Sequence, residues 1–268
     1  MGALRNPLLR HLAAGLEWLS YRSAAHVVAL SPSMAQGVRQ KAAPATPVSV
    51  VPNSSDIHFF SVSPRHGDQV RLALGLTPEQ PLVVYTGSFG YVNGLGYLVE
   101  VATHLQRLNP AVHFLLVGDG AEREKIRQQA EACGVLDRNL TLWEPVPKNQ
   151  VPAILAAASL ATSTVIPREP LWNNSANKFF DALAAGKPIA INHGGWLADL
   201  IHSWACGVVL PAEDPAAAAL ALADFLADEA RVTHAGQQAA RLARSHFDRD
   251  QLARQVEGIL SSVARAKN

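Results

Sequence analysis

Short runs rich in β-branched and other apolar residues alternate with longer stretches of helical spacing, and this alternation constrains the chain more than any other feature. The strand-like runs fall at 48–51, 82–85, 113–117, 140–143, 160–164, 189–192 and 208–210. Helical patterns at 95–108, 122–133, 149–158, 177–185 and 197–201 separate most of them. A strand that returns parallel to its neighbour needs a crossover of a dozen or more residues, usually a helix. The pattern therefore predicts an α/β fold, a Rossmann-like parallel sheet with helices on both faces. In open sheets of this kind ligands bind beyond the carboxyl ends of the strands, so the segments after the strands are the candidate sites.

The ends of the chain fall outside the alternation. The run LRNPLLRHLAAGLEWLSYRSAAHVV, residues 4–28, places Leu8, Leu9, Leu12, Leu16 and Leu19 near helical spacing, with Arg5, Arg10, His11, Glu17 and Arg22 among them. It reads as an amphipathic helix packed on a domain or as a basic helix lying on a membrane surface. A strand-like run at 25–31, a helix at 33–41 and a proline-rich stretch at 42–47 follow. Residues 1–45 thus read as the end of one domain and a linker, residues 46–245 as the main domain, and residues 246–268 as a terminal helix.

Composition narrows the classes. The 268 residues are 49% hydrophobic and 17% charged, a globular composition, and the net charge of +1 speaks against a general nucleic-acid surface. The two cysteines, Cys133 and Cys206, are far apart, which fits a reduced cytosolic setting and no disulfide framework. No run approaches the roughly 20 apolar residues of a membrane span, and the N-terminus lacks a signal-peptide pattern.

Four loops deserve scrutiny. In YTGSFGYVNGL the glycines Gly87, Gly90 and Gly94 either admit a ligand close to the backbone or simply make a tight turn. The G-x-G-x-x-G spacing of a dinucleotide fingerprint is absent. In LLVGDGAE, Asp119 reads as a cap for the next helix, through Glu122. In WEPVP the prolines stiffen an extended segment with free backbone groups. PREPLW leads into NNSANKFFDALAAGKPIAIN. On its helical wheel Ala176, Phe179, Phe180 and Leu183 share one side, and Lys178, Asp181 and Ala185 the other. Lys178 and Asp181 are spaced for a plain surface salt bridge. The alanines beside them instead allow close approach of a ligand. Gly186 and Pro188 end the helix. No histidine reads as a catalytic base, and His193, before Gly194-Gly195, reads as part of a turn.

The stretches ALSPSM, VVPNSSD, YTGSFGYVNGL, FLLVGDGAEREKI, PVPKNQVPAILAAAS and NSANKFFDALAAGKPIA occur in one order that resembles a known family. The chain is similar to the carboxyl-terminal, donor-binding half of glycosyltransferase family 4 enzymes of GT-B fold. The last stretch looks most like bacterial amino-sugar transferases of surface-polysaccharide assembly. The resemblance covers most of the chain from about Ala25 onward. It implies a truncated or separately encoded half, with 1–45 a remnant of the acceptor domain and the terminal helix the segment that crosses back to it. An exposed apolar surface is expected near the first helix, 4–28, and the strand-like run at 25–31.

By position, the resemblance implies that Asp181 holds the ribose hydroxyls of a nucleotide-diphosphate sugar, a UDP sugar above all. Vicinal hydroxyl donors suit a carboxylate. The family's first carboxylate maps to Asn173, a departure for which Glu169 is the substitute. The basic residues that many members carry in the first glycine loop are replaced by Ser88 and Asn93. Lys178, with the amides of Asn177 and Lys178, is then the candidate for the diphosphate, Arg168 second. Ser175 lies beside them, Gly87 and Gly90 against the phosphates or sugar, and Trp143, Glu144 and Val146 around the base. Lys178, Asn173 and Glu169 are the catalytic candidates. The resemblance implies retaining, metal-independent transfer with no cofactor beyond the donor, to a glycan or lipid-linked acceptor. It also implies a cytoplasmic chain with at most peripheral contact at the inner face of the membrane. A non-catalytic nucleotide-sugar-binding module or partner subunit, and a GT-B nucleotide-sugar epimerase, are the rival readings.

Overall fold

The computed structural model describes residues 6–266. The chain divides into two compact units. One takes the residues up to Asn53, Asn173–Ser175 and those from Asp250 on; the other takes Ser54–Trp172 and Ala176–Arg249.

The larger unit is built on a six-stranded sheet. Its strands are β3 (Leu82–Thr86), β4 (His113–Val117), β5 (Leu140–Trp143), β6 (Leu160–Ser163), β7 (Ile189–Ile191) and β8 (Gly207–Val209). They lie in the order β5-β4-β3-β6-β7-β8, and every pairing is parallel. The chain enters at β3, winds outward through β4 and β5, then returns to β6 and winds the other way. The switch point therefore lies between β3 and β6. This is the parallel α/β sheet that the sequence predicts, with strand positions within a residue or two of those read from it.

Both faces of the sheet are covered, which is why the strands read as continuous apolar runs. Successive residues of β3 point to opposite faces. Leu82 and Val84 pack with Leu115, Ile154, Phe179 and Phe180; Val83 and Tyr85 pack with Leu98, Phe114, Leu116 and Leu222. The covering helices are α3 (Ile57–Phe60), α4 (Asp68–Ala73), α5 (Gly96–Leu108), α6 (Arg123–Ala132), α7 (Val151–Ala157) and α8 (Asn177–Ala184), followed by α9 (Trp196–Trp204), α10 (Pro215–Ala227) and α11 (Glu229–Leu242).

Several of these are not apparent from the sequence, and two of them show the physical reason. The buried face of α11 consists largely of Ala235, Gly236 and Ala239. Small residues give little apolar periodicity, yet Gly236 is so close to α8's end that an added Cβ would fall 2.6 Å from the Gly186 carbonyl oxygen. The α4 helix has six residues, too short to show a period. The terminal helix, expected from 246, begins at Arg249 as α12 (Arg249–Ala266), after a wide helical turn at Ala243–Phe247. Packing dictates the difference. Phe247 is buried against Phe180, with ring centroids 5.0 Å apart, and against Trp196 at 6.4 Å.

The smaller unit holds α1 (Pro7–Ser23), β1 (Val27–Ala29), α2 (Pro32–Lys41), β2 (Val48–Val50) and most of α12. Asn6 caps α1 by accepting from Leu8 N at 2.9 Å. Ser31 caps α2 by accepting from Met34 N at 3.2 Å. A Lys41–Glu17 ion pair of 2.8 Å joins the two helices. Strands β1 and β2 pair in parallel. Leu4 and Arg5 of the expected first helix lie outside the described residues. The rest of that helix buries none of its residues: Leu12 is 56% and Leu16 67% exposed, and Trp18 is also exposed. The expected exposed apolar surface is present on α1. Among the described residues no helix is long and apolar enough to cross a membrane.

Candidate functional site

Beyond the carboxyl ends of β3, β4 and β5 the larger unit opens into a cavity of about 520 Å³. Two glycine turns make it. Gly87 and Gly118, directly after β3 and β4, have φ of 149° and 147°, a region open mainly to glycine. A Cβ on Gly118 would sit 1.8 Å from the Gly87 carbonyl oxygen, so the two turns touch backbone to backbone. Gly87 N donates to Val117 O at 2.9 Å, and Phe89 N to Asp119 O at 2.8 Å. Phe89 is fully buried and meets the Tyr85 ring edge-on. The Tyr85 hydroxyl donates to Ser88 O at 2.7 Å, and burial pushes its pKa up. Asn93 Nδ2 donates to Ser88 O at 2.9 Å.

The start of α8 closes another wall. Its N-cap, Ala176, has no side-chain acceptor, and while Phe179 N bonds to Ala176 O at 3.0 Å, Asn177 and Lys178, whose amides such a helix start leaves without an intrahelical partner, line the cavity. Lys178 lies along the first glycine turn: a Cβ on Gly87 would come 3.0 Å from Lys178 Cε. Its Nζ donates to Asn93 Oδ1 at 3.3 Å and sits 5.3 Å from the Tyr85 ring centroid. Burial lowers the Lys178 pKa and the charge of Asp181 opposes that. No Lys178–Asp181 ion pair occurs among the described residues, which removes the plain surface salt bridge from consideration. Asp181 is raised to about 6, by burial first, with Lys148 and Lys178 opposing and Asp56 adding to it.

The remaining wall is apolar. Pro145, Val146, Val151, Val117 and Phe60 line it, together with the exposed Lys148. The cavity thus has a cationic end with helix amides, a half-buried carboxyl, and an apolar slot able to take a flat ring.

The predicted site residues separate cleanly. Gly87, Ser88, Val146, Asn177, Lys178 and Asp181 line the cavity. Asn93 stands behind them and holds Lys178, and Gly90 shares its loop. Trp143 is not part of the lining; its carbonyl accepts from Gly118 N at 3.3 Å and from Arg123 Nη1 at 3.0 Å. Glu144 points to solvent and pairs with Arg123 at 2.7 Å. Arg168 and Glu169 are exposed on the loop after β6 and do not line the cavity. Asn173 and Ser175 belong to the smaller unit, where Ser175 Oγ accepts from Asn53 N at 3.0 Å. Asp119 does not cap α6 as expected. Its carboxylate accepts from Gly120 N at 2.7 Å, and the N-terminal residue Glu122 makes no side-chain cap bond.

Sequence reading missed Lys148, Phe60 and Asp119 as lining residues. Lys148 follows the prolines of the β5 loop directly, so loop position alone could have found it. Phe60 reads as a core residue. His193 is buried, its Nδ1 2.7 Å from the Gly194 carbonyl, as a turn residue would be.

The larger unit is a doubly wound parallel α/β domain whose cavity lies at the carboxyl ends of the central strands, the place where open sheets of this kind bind ligands. Residues 68–242 match the model of the family described as glycosyl transferases group 1, and the chain belongs to that family. It is 27% identical over 226 residues to D-inositol 3-phosphate glycosyltransferase of Segniliparus rotundus, covering 82% of this chain and 47% of that protein. It is 27% identical over 223 residues to 2-deoxystreptamine N-acetyl-D-glucosaminyltransferase of Streptomyces fradiae, covering 82% of this chain and 51% of that one. The chain spans about half the length of these curated relatives. Among solved structures, Anabaena HepE in complex with UDP and glucose superposes with a TM-score of 0.79 at 22% identity, over 94% of this chain and 66% of that one. Sucrose-phosphate synthase of Thermosynechococcus elongatus gives 0.81 at 20% identity, over 99% and 65%. The likeness to these structures bears out the expected GT-B type of fold.

Proposed function

We propose that the larger unit binds a nucleotide-diphosphate sugar, UDP-linked, as the donor half of a retaining, metal-independent glycosyltransferase acting on a glycan or lipid-linked acceptor. The observation that carries this is the joining, in one cavity, of the Lys178 ammonium, the first-turn amides of α8 and the Asp181 carboxyl. Family membership and the UDP complex of HepE support it.

Each part has a chemical task. The apolar slot at Pro145 and Val146 takes the base, with backbone groups of the loop reading its edge. Asp181, as an anion, accepts the two ribose hydroxyls. Lys178 and the helix amides lie against the diphosphate. In the transfer the bond from the sugar C1 to the phosphate oxygen breaks, its electron pair stays on the nucleoside diphosphate, and the acceptor oxygen bonds to C1 on the same face. The acceptor's proton leaves to the departing phosphate or to solvent. Charge on the leaving diphosphate grows as the bond breaks, so a preorganised cation and amides stabilise the transition state more than the ground state.

Calorimetric titration of the chain with UDP, GDP and uridine tests the reading. Binding of UDP that is lost in Asp181→Ala is the expected result. Failure of the native chain to bind any nucleotide overturns it.

A further inference from the structure

As the anion a carboxyl group offers both oxygens as acceptors to two hydroxyl donors; once protonated, one of them becomes a donor. Asp181 stands where burial works against the anion, raising its pKa to about 6. Three charged groups act on it: Lys178 on its own helix, Asp56 ahead of α3 and Lys148 from the loop after β5. Asp119 lines the same cavity. Asp56 is like-charged and disfavours the anion. It is also committed elsewhere: it caps α3 by accepting from Phe59 N at 3.2 Å, and it pairs with Arg249. Lys178 is drawn toward Asn93 Oδ1 and the Tyr85 ring. Lys148 remains. It lines the cavity with Asp181, and its Nζ is steadied 5.3 Å from the Phe59 ring centroid, on the helix that Asp56 caps. Of the two lysines its attraction is the larger influence favouring the Asp181 anion.

We infer that Lys148 is a positioning residue of the donor site, acting through space to hold the Asp181 carboxylate in the charged form that accepts ribose hydroxyls. This rests on the reading of Asp181 as a ribose ligand. The consequence is a pH profile. Binding that requires the anion gains about tenfold per pH unit below the carboxyl midpoint and levels off above it. Removing the Lys148 charge moves the midpoint, and hence the levelling point, to higher pH.

Two measurements on the full chain test this. Carbon NMR of carboxyl-labelled aspartate, with Asp181→Asn to assign the resonance, gives the Asp181 midpoint in the absence of ligand. UDP affinity is then measured across the same pH range. In Lys148→Met the midpoint rises and UDP affinity falls most below about pH 6, the gap narrowing through neutrality and closing by about pH 8.5; Lys148→Arg restores the native profile. An unmoved midpoint overturns the inference, as does a UDP affinity lowered by the same factor at every pH, which marks direct contact with the ligand. If the midpoint moves but the native chain binds no UDP, the coupling stands and the ribose reading of Asp181 falls.

Discussion

Lys178 Nζ lies 3.3 Å from Asn93 Oδ1, joining the loop after β3 to the first turn of α8 across the point where the sheet reverses its winding. The partner is a neutral amide, so the contact orients the ammonium without cancelling its charge. Gly87 leaves the room for it, since any Cβ there would press on the lysine stem.

The first prediction concerns that charge. Lys178→Met weakens UDP binding by about 1.5–3 kcal/mol, the range of a hydrogen bond to a charged group, and uridine binding far less. Calorimetry with both ligands checks it. An equal loss for the two sinks the assignment of Lys178 to the diphosphate.

A second prediction is a trade between stability and binding at Asp181. Its pKa is raised from 3.8 to about 6 in the folded chain. The fold therefore favours the protonated form, and the associated stability is full below pH 4 and lost as pH rises through about 6. Asp181→Asn removes the ionisable group. The ligand-free variant is more stable than the native chain at neutral pH, by on the order of 2 kcal/mol, and the difference fades in acid. Thermal unfolding at several pH values reads this. The same variant loses UDP affinity.

A third tests the contact of the glycine turns. Gly118→Ala drives a Cβ to 1.8 Å from the Gly87 carbonyl oxygen at a φ of 147°. We expect a cost of about 3 kcal/mol or more in urea denaturation, with nucleotide binding lost. Gly75→Ala is the control: φ is 68° and nothing lies within 4 Å of its Cβ. It pays only the left-handed backbone penalty of about 1 kcal/mol. Similar costs for both would show that the turns can separate.

The fourth concerns α1. Leu12 and Leu16 are 56% and 67% exposed, so replacing both with Gln leaves the unfolding temperature of the chain unchanged. Light scattering of the variant shows less self-association at high concentration, because a contiguous apolar strip is removed. A substantial drop in unfolding temperature would mean that the strip is covered.

Much of this was legible in the sequence. Strands buried on both faces announce themselves as apolar runs, and the loops after β3, β4 and β5 follow from sheet topology. Lys178 and Asp181 emerged together because one helix carries both. Less legible was anything set by close packing of small groups, such as the Gly236–Gly186 approach under α11. Also hidden was who pairs with whom. Spacing offered Lys178 to Asp181 as a salt bridge, while the fold hands it to Asn93, some way back in the chain. Asp119 looked like a helix cap, yet it stays with its own loop. Lys148 is nowhere near Asp181 in sequence, and only the completed sheet brings them to one cavity.

The walls of that cavity come from Phe60, the turns after β3, β4 and β5, and α8. Contacts so widely separated in the chain form slowly and late, after long loops have closed. Nucleotide binding is thus a probe of the finished topology: a collapsed intermediate with correct helices but an unzipped sheet has no pocket to offer. During refolding, capture of UDP should lag behind the recovery of helical signal, and bound nucleotide should chiefly slow unfolding rather than hasten folding.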